Sequence, residues 1–270
     1  MTFRTIEISD PSLSPAGFHF VTVKSKALRQ RADVTVYLPD QYAHCRDLPI
    51  VTLLHGVYGS HWAWTCQGAA HLTAATLMRQ GEIQPMVLVM PSDGLWGDGS
   101  GYVAHPHQDF EHWIVEEVPL VAMQACAACS ADSPRVIAGL SMGGFAALRL
   151  AGRYPAHYKA ACAHSALTDI SQIDALMEES RTQWPSEPSS TSVLAALQAA
   201  QGPLPALRLD CGQSDALIQT NRQLHQDLRD LGIAHEFEEF EGGHDWIYWR
   251  AHLADTLRFF SRTLELHHHA

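Results

Sequence analysis

Polar and apolar positions along this chain follow two rhythms. Residues 18–24 and 33–38 alternate between them, which predicts two half-buried antiparallel strands, the second closed by Pro39 and Asp40. From 49 onward the apolar positions come in short runs. Those at 49–54, 86–90, 135–138 and 158–163 read as strands buried on both faces, and 206–210 and 235–240 as two more. Helical patterns separate them: 69–80 stopped by Gly81, then a helix from Asp109 with the stripe Phe110, Trp113, Ile114, Val118 and Val121. Further helices cover 144–151, 216–231 and 247–264. Strand–helix alternation after two antiparallel strands predicts an α/β fold. Its sheet is mostly parallel, with about eight strands and helices on both faces.

Two stretches break the rhythm. Residues 92–108 form a long loop rich in glycine and aromatics, and loops of that length inside a domain usually carry function. Residues 168–205 hold short helices around a Pro/Ser loop and read as an insertion over one sheet edge. There is no internal repeat and no linker that splits the chain, so residues 1–270 are expected to form one domain.

Composition narrows the function classes. The chain is 46% hydrophobic and 17% charged, with a formal net charge of −11 and no basic cluster, which argues against a nucleic-acid partner. No apolar run is long enough to span a membrane, and Met1–Ile8 lacks the basic-then-apolar pattern of a secretory leader. A cytoplasmic protein is expected, with its six scattered cysteines as thiols. Cys126 and Cys129 form a C-x-x-C inside an alanine-rich helical stretch, where packing is the expected role. The histidine run at 267–269 is either native or a remnant tag and is not read as a metal site.

Chemistry concentrates at Ala138-Gly139-Leu140-Ser141-Met142-Gly143-Gly144, a G-x-S-x-G between a buried strand and a helix. Such a turn lifts the serine Oγ above the sheet and aims the free N–H groups of the next helix at it. A serine hydroxyl needs a base, and in enzymes built on this elbow the later strands supply first an acid and then a histidine. His244 follows a glycine pair after the last strand and is the expected base, whereas His225 and His252 fall within helices. Asp215, in the loop beyond strand 206–210, is the expected acid. Asp210, nearer the strand, is the second choice. The backbone N–H groups of Met142 and Val57 are the expected oxyanion donors, with Tyr58 as an alternative to Val57, since His55-Gly56 ends a buried strand.

The motifs Leu53-Leu54-His55-Gly56, Ala138 to Gly144, and Gly242-Gly243-His244-Asp245-Trp246 resemble the esterase D / putative esterase family of α/β-hydrolases. The resemblance runs from about Phe18 to Leu264. It implies an α/β-hydrolase fold, a Ser141–Asp215–His244 triad and hydrolysis of small acyl or aryl esters through an acyl-enzyme, with no metal or organic cofactor. Acyl transfer by the same triad and S-formylglutathione-type thioester hydrolysis are the alternatives. The His-Gly turn is unusual among the family's thioester hydrolases, and an intact triad argues against a non-catalytic binding protein. A homodimer is a family-level expectation. Tyr58, Trp62, Trp96, Tyr102 and Trp184 are the candidate substrate-contacting aromatics, while Trp246 and Trp249 should seat the histidine loop. His105, His107 and Asp109 are too few, and too poorly fixed by a loop containing Pro106, to predict a metal site.

Overall fold

The computed structural model describes residues 3–268, with side chains as far as 265; the histidine side chains at 267–269 lie outside the described residues. Among these residues nine strands form one sheet. They are β1 (Ile6–Ile8), β2 (Phe18–Lys24), β3 (Arg31–Tyr37), β4 (Ile50–Leu54), β5 (Val87–Pro91), β6 (Arg135–Leu140), β7 (Ala160–His164), β8 (Ala206–Gly212) and β9 (Glu236–Phe240). Their order is β1-β2-β3-β5-β4-β6-β7-β8-β9. The pairings among β1, β2, β3 and β5 are antiparallel, and every pairing from β5 to β9 is parallel. The sheet is one strand larger than expected. Ile6–Ile8 is a three-residue edge strand, too short to show an alternation by itself.

The helices are α1 (Ala63–Cys66), α2 (Ala70–Gln80), α3 (Phe110–His112), α4 (Val118–Ala125), α5 (Met142–Arg153), α6 (Pro188–Thr191), α7 (Val193–Gln198), α8 (Ile218–Asp230) and α9 (Trp246–His268). A π-helical turn, Trp113–Glu117, joins α3 to α4. Alternate residues of each central strand feed two apolar layers, as the pleat requires. On β6, Val136 and Ala138 join Leu77, Met78, Leu253, Leu257 and Phe260 of α2 and α9 on one face. Ile137 points the other way, toward Trp113, Ile114, Phe145, Leu148, Leu224 and Leu228. No helix among the described residues is long and apolar enough to cross a membrane.

Two expectations are corrected. Cys126 and Cys129 do not sit within a helix; Cys126 caps α4, and the Cys129 N–H donates to its carbonyl at 3.0 Å in the turn that follows. Both are buried free thiols. Residues 168–205 lie not over a sheet edge but along α5. There α7 comes so close that a Cβ on Gly152 would stand 2.6 Å from the Ala196 backbone. Arg153 extends the contact, donating to Glu187 and Ser189, each at 2.8 Å.

Candidate active site

The strand-to-helix turn at Ser141 is as tight as its sequence implies. Ser141 has φ 53° and ψ −116°, a conformation costing a non-glycine residue on the order of 1–3 kcal/mol. Its neighbours hold it there. The Ser141 N–H donates to His164 O at 2.9 Å, and Ser141 O accepts from Phe145 N at 3.0 Å and Leu167 N at 3.2 Å. Gly143 is required because α5 starts against the end of β4; a Cβ there would lie 2.4 Å from Leu54 O.

Loops after β8 and β9 bring the remaining polar groups to this point. Ser141 Oγ lies 3.0 Å from His244 Nε2, and His244 Nδ1 lies 2.9 Å from Asp215 Oδ2. The carboxylate favours the Nδ1–H tautomer, which leaves Nε2 free to accept the serine proton. Asp215 Oδ1 accepts from Leu217 N at 2.8 Å. Burial works against the charge on Asp215, but the bonds from His244 and the Leu217 N–H outweigh it and hold this carboxyl below its ordinary range. The Trp249 ring packs edge-on against His244 at 5.0 Å, and Trp246 packs on Trp249 at 5.3 Å, seating the histidine loop as expected.

Asp210 is elsewhere. Strand β8 extends to Gly212 through its pairing with β9, so Asp210 lies inside the strand and not in the loop. Its Oδ1 is 2.9 Å from His164 Nδ1 and accepts from Tyr248 OH at 2.9 Å, while Arg208 donates to its other oxygen. His164 Nε2 meets Thr256 Oγ1 at 3.0 Å, and Cys162 Sγ lies 3.0 Å from the same hydroxyl. Cys162, His164 and Asp210 have the side chains of a metal site and lie within 4.8 Å of one another. The Arg208 guanidinium already supplies the positive charge there, and burial pushes the Cys162 thiol up to about 11, away from the thiolate a metal needs.

Beside Ser141, the N–H groups of Val57 and Met142 have no acceptor among the described residues. The Tyr58 N–H donates to Asp98 O at 2.8 Å, which removes it as the alternative to Val57. The aromatics divide. Tyr58 is 65% exposed and Trp62 41% exposed, both in the segment after β4. Tyr102 is fully buried, with its hydroxyl on His55 O at 3.2 Å, and does not face a substrate. Trp184 is buried and Trp96 half-buried; both pack against the His105 ring, at 4.5 Å and 4.6 Å. His105 donates from Nε2 to Ser100 O at 3.0 Å, and Asp109 caps α3 by accepting from His112 N at 2.8 Å, so neither is placed as a metal ligand. Two features were missed from sequence: the His55 ring as a partner of its own turn, and the Tyr58 hydroxyl, which donates to Leu176 O of the insertion.

Comparison with known proteins finds similar chains along most of the sequence. The family model described as putative esterase matches residues 25–260. An acetyl esterase of Caldicellulosiruptor saccharolyticus is 24% identical, over 88% of this chain and 96% of its own. Among solved structures, a ferulic acid esterase superposes with a TM-score of 0.76 at 26% identity, covering 97% of this chain and 99% of that one. The fluorophosphonate-binding serine hydrolase F of Staphylococcus aureus shares the fold, with a TM-score of 0.76 at 22% identity over 91% of this chain and 98% of its own.

Proposed function

The chain belongs to the putative esterase family, a family of serine ester hydrolases, and on that footing we propose that Ser141, His244 and Asp215 form its catalytic triad. The observation that carries this reading is the unbroken hydrogen-bonded line from Ser141 Oγ through His244 to Asp215, with Ser141 strained into an elbow. Ser141 Oγ attacks the ester carbonyl as His244 Nε2 takes its proton. Asp215 keeps the imidazole oriented and stabilises the imidazolium. The tetrahedral oxygen is received by the N–H groups of Met142 and Val57, each worth about 3 kcal/mol in the transition state. His244 returns its proton to the leaving alcohol and then activates the water that releases the acid. No step requires a metal or organic cofactor.

Exposed Tyr58 and Trp62 are the aromatic groups we place beside the ester, which favours short acyl and aryl esters. An acetyl esterase and a ferulic acid esterase among the similar proteins point the same way. We read residues 1–270 as one domain in which 168–205 is an insertion. The test is Ser141→Ala: p-nitrophenyl acetate hydrolysis should fall by at least ~10⁴-fold while the melting temperature holds. A fluorophosphonate should label the native protein but not the variant. Retained turnover in Ser141→Ala would sink the reading. A chain-length series of p-nitrophenyl esters beside methyl ferulate then ranks the substrates.

A further inference from the structure

The long loop 92–109 packs against the turn that carries Val57. It reaches the turn 55–58 at three points. Asp93 N–H donates to His55 Nε2 at 3.0 Å, Asp98 O accepts from Tyr58 N at 2.8 Å, and Tyr102 OH donates to His55 O at 3.2 Å. Because His55 Nε2 is an acceptor, the ring proton is on Nδ1, which donates to Gly56 O at 2.7 Å. The carbonyl and N–H of a trans peptide point in opposite directions. Drawing Gly56 O toward the ring, on the side where it also accepts from Gly59 N at 3.3 Å, therefore turns the Val57 N–H away, where it finds no acceptor among the described residues.

The brace is itself fixed. Asp93 closes the loop, accepting from Leu95 N at 2.9 Å and Ser100 N at 2.8 Å. Tyr102 adopts φ 54°, is fully buried, and offers its carbonyl to Arg149 Nη2 at 2.7 Å. Arg149 belongs to α5, the helix whose first residue is Met142. One chain of contacts, Arg149 to Tyr102 to His55 to the Gly56–Val57 peptide, thus ties one N–H group to the other.

We propose that loop 92–109 presets the oxyanion hole, with Tyr102 and His55 as positioning residues that aim the Val57 N–H without touching substrate. The inference rests on the reading of Val57 as the second oxyanion donor. A mispositioned donor loses transition-state binding while ground-state binding is kept, so the loss belongs in kcat and not in KM. Three variants test it on p-nitrophenyl acetate, with inhibition by a short alkyl trifluoromethyl ketone as the readout of oxyanion binding. Tyr102→Phe should lower kcat about 3- to 10-fold with KM within about twofold, and weaken the ketone in proportion. His55→Leu should lower kcat on the order of 10²-fold. His55→Asn keeps an N–H near the Nδ1 position and should recover about tenfold of that loss.

If Tyr102→Phe and His55→Leu keep native kcat and ketone affinity while Ser141→Ala is inactive, the brace is wrong and the triad stands. If Ser141→Ala is active, the underlying reading has failed. A rise in KM with ketone affinity unchanged would make Tyr102 a substrate contact and overturn the proposal. Should His55→Leu show no cooperative melt, Tyr102→Phe decides alone, by whether kcat and ketone affinity fall together.

Discussion

Two histidine–aspartate pairs at the carboxyl end of this sheet are joined through Nδ1, and by the first distance one would measure they are the same. In each, a histidine Nδ1 lies 2.9 Å from a carboxylate oxygen: His244 on Asp215, and His164 on Asp210. They differ in what the other ring nitrogen meets. His244 Nε2 reaches the strained Ser141 hydroxyl, and its side chain is about a third open to solvent. His164 Nε2 ends on Thr256, and the pair is wholly buried between Arg208, Tyr248 and Cys162. A His–Asp pair is therefore not a catalytic signature by itself. It becomes one when the far nitrogen faces a nucleophile with room for substrate, and otherwise it is a way of satisfying charge inside a core.

Substituting each acid in turn breaks the comparison where it matters most. Asp215→Asn should lower kcat on the order of 10⁴-fold by releasing the His244 tautomer, with little change in melting temperature. Asp210→Asn should do the reverse. It strips charge from a buried group on which Arg208 and His164 depend and should cost about 3–5 kcal/mol in chemical denaturation, while activity per folded molecule stays near native. Both carboxyls are held below their ordinary range against the pull of burial, so the charged form is the native one in each. Equal activity losses in the two variants would mean that the pairs do not divide the labour as described.

Much of this was legible in the chain, for physical reasons. The elbow announces itself because a buried strand must be continuously apolar and a strand-to-helix turn this sharp needs glycine. His244 stood out because it follows a glycine pair after the last strand. The choice of Asp215 over Asp210 depended on where β8 ends, and pairing with β9 sets that end: Asp210 opposes Glu238 and Gly212 opposes Phe240. Tyr102 and Trp184 were misjudged for a different reason. An aromatic in a loop looks the same in sequence whether it lines a mouth or fills the space beneath. Here Tyr102 meets His55 and Trp184 meets His105, partners 47 and 79 positions away. The insertion's seat on α5 was hidden likewise, resting on the close approach of Ala196 to Gly152.

A third histidine sharpens the contrast because neither of its ring nitrogens meets a carboxylate. His105 is enclosed by Trp96, Phe110 and Trp184, and burial drops its pKa from the ordinary 6.5 to about 4. The unfolded chain takes up this proton near 6.5 and the folded protein only near 4, so acid favours unfolding across that window. The His105 contribution is intact above pH 6.5 and lost as pH falls toward 4. His61 and His71, also lowered by burial, add to the slope. His105→Gln should leave a shallower fall in melting temperature between pH 6.5 and 4 than the native protein shows. An unchanged slope would mean the ring takes up its proton in place.

The smallest effect tests whether the two pairs are independent. Tyr248 bridges them: its hydroxyl donates to Asp210 at 2.9 Å, and its ring packs so closely on Gly242, in the loop that carries His244, that a Cβ there would stand 2.7 Å from it. Asp210 keeps His164 and Arg208 when the hydroxyl is removed, so Tyr248→Phe should cost about 1 kcal/mol of stability. The ring that props the histidine loop is unchanged, and kcat should stay within about twofold of native because only interactions realised in the transition state alter it. A much larger fall in kcat would show that the buried pair reaches His244 through this ring. The Asp210→Asn result would then have to be read as a change to both pairs at once.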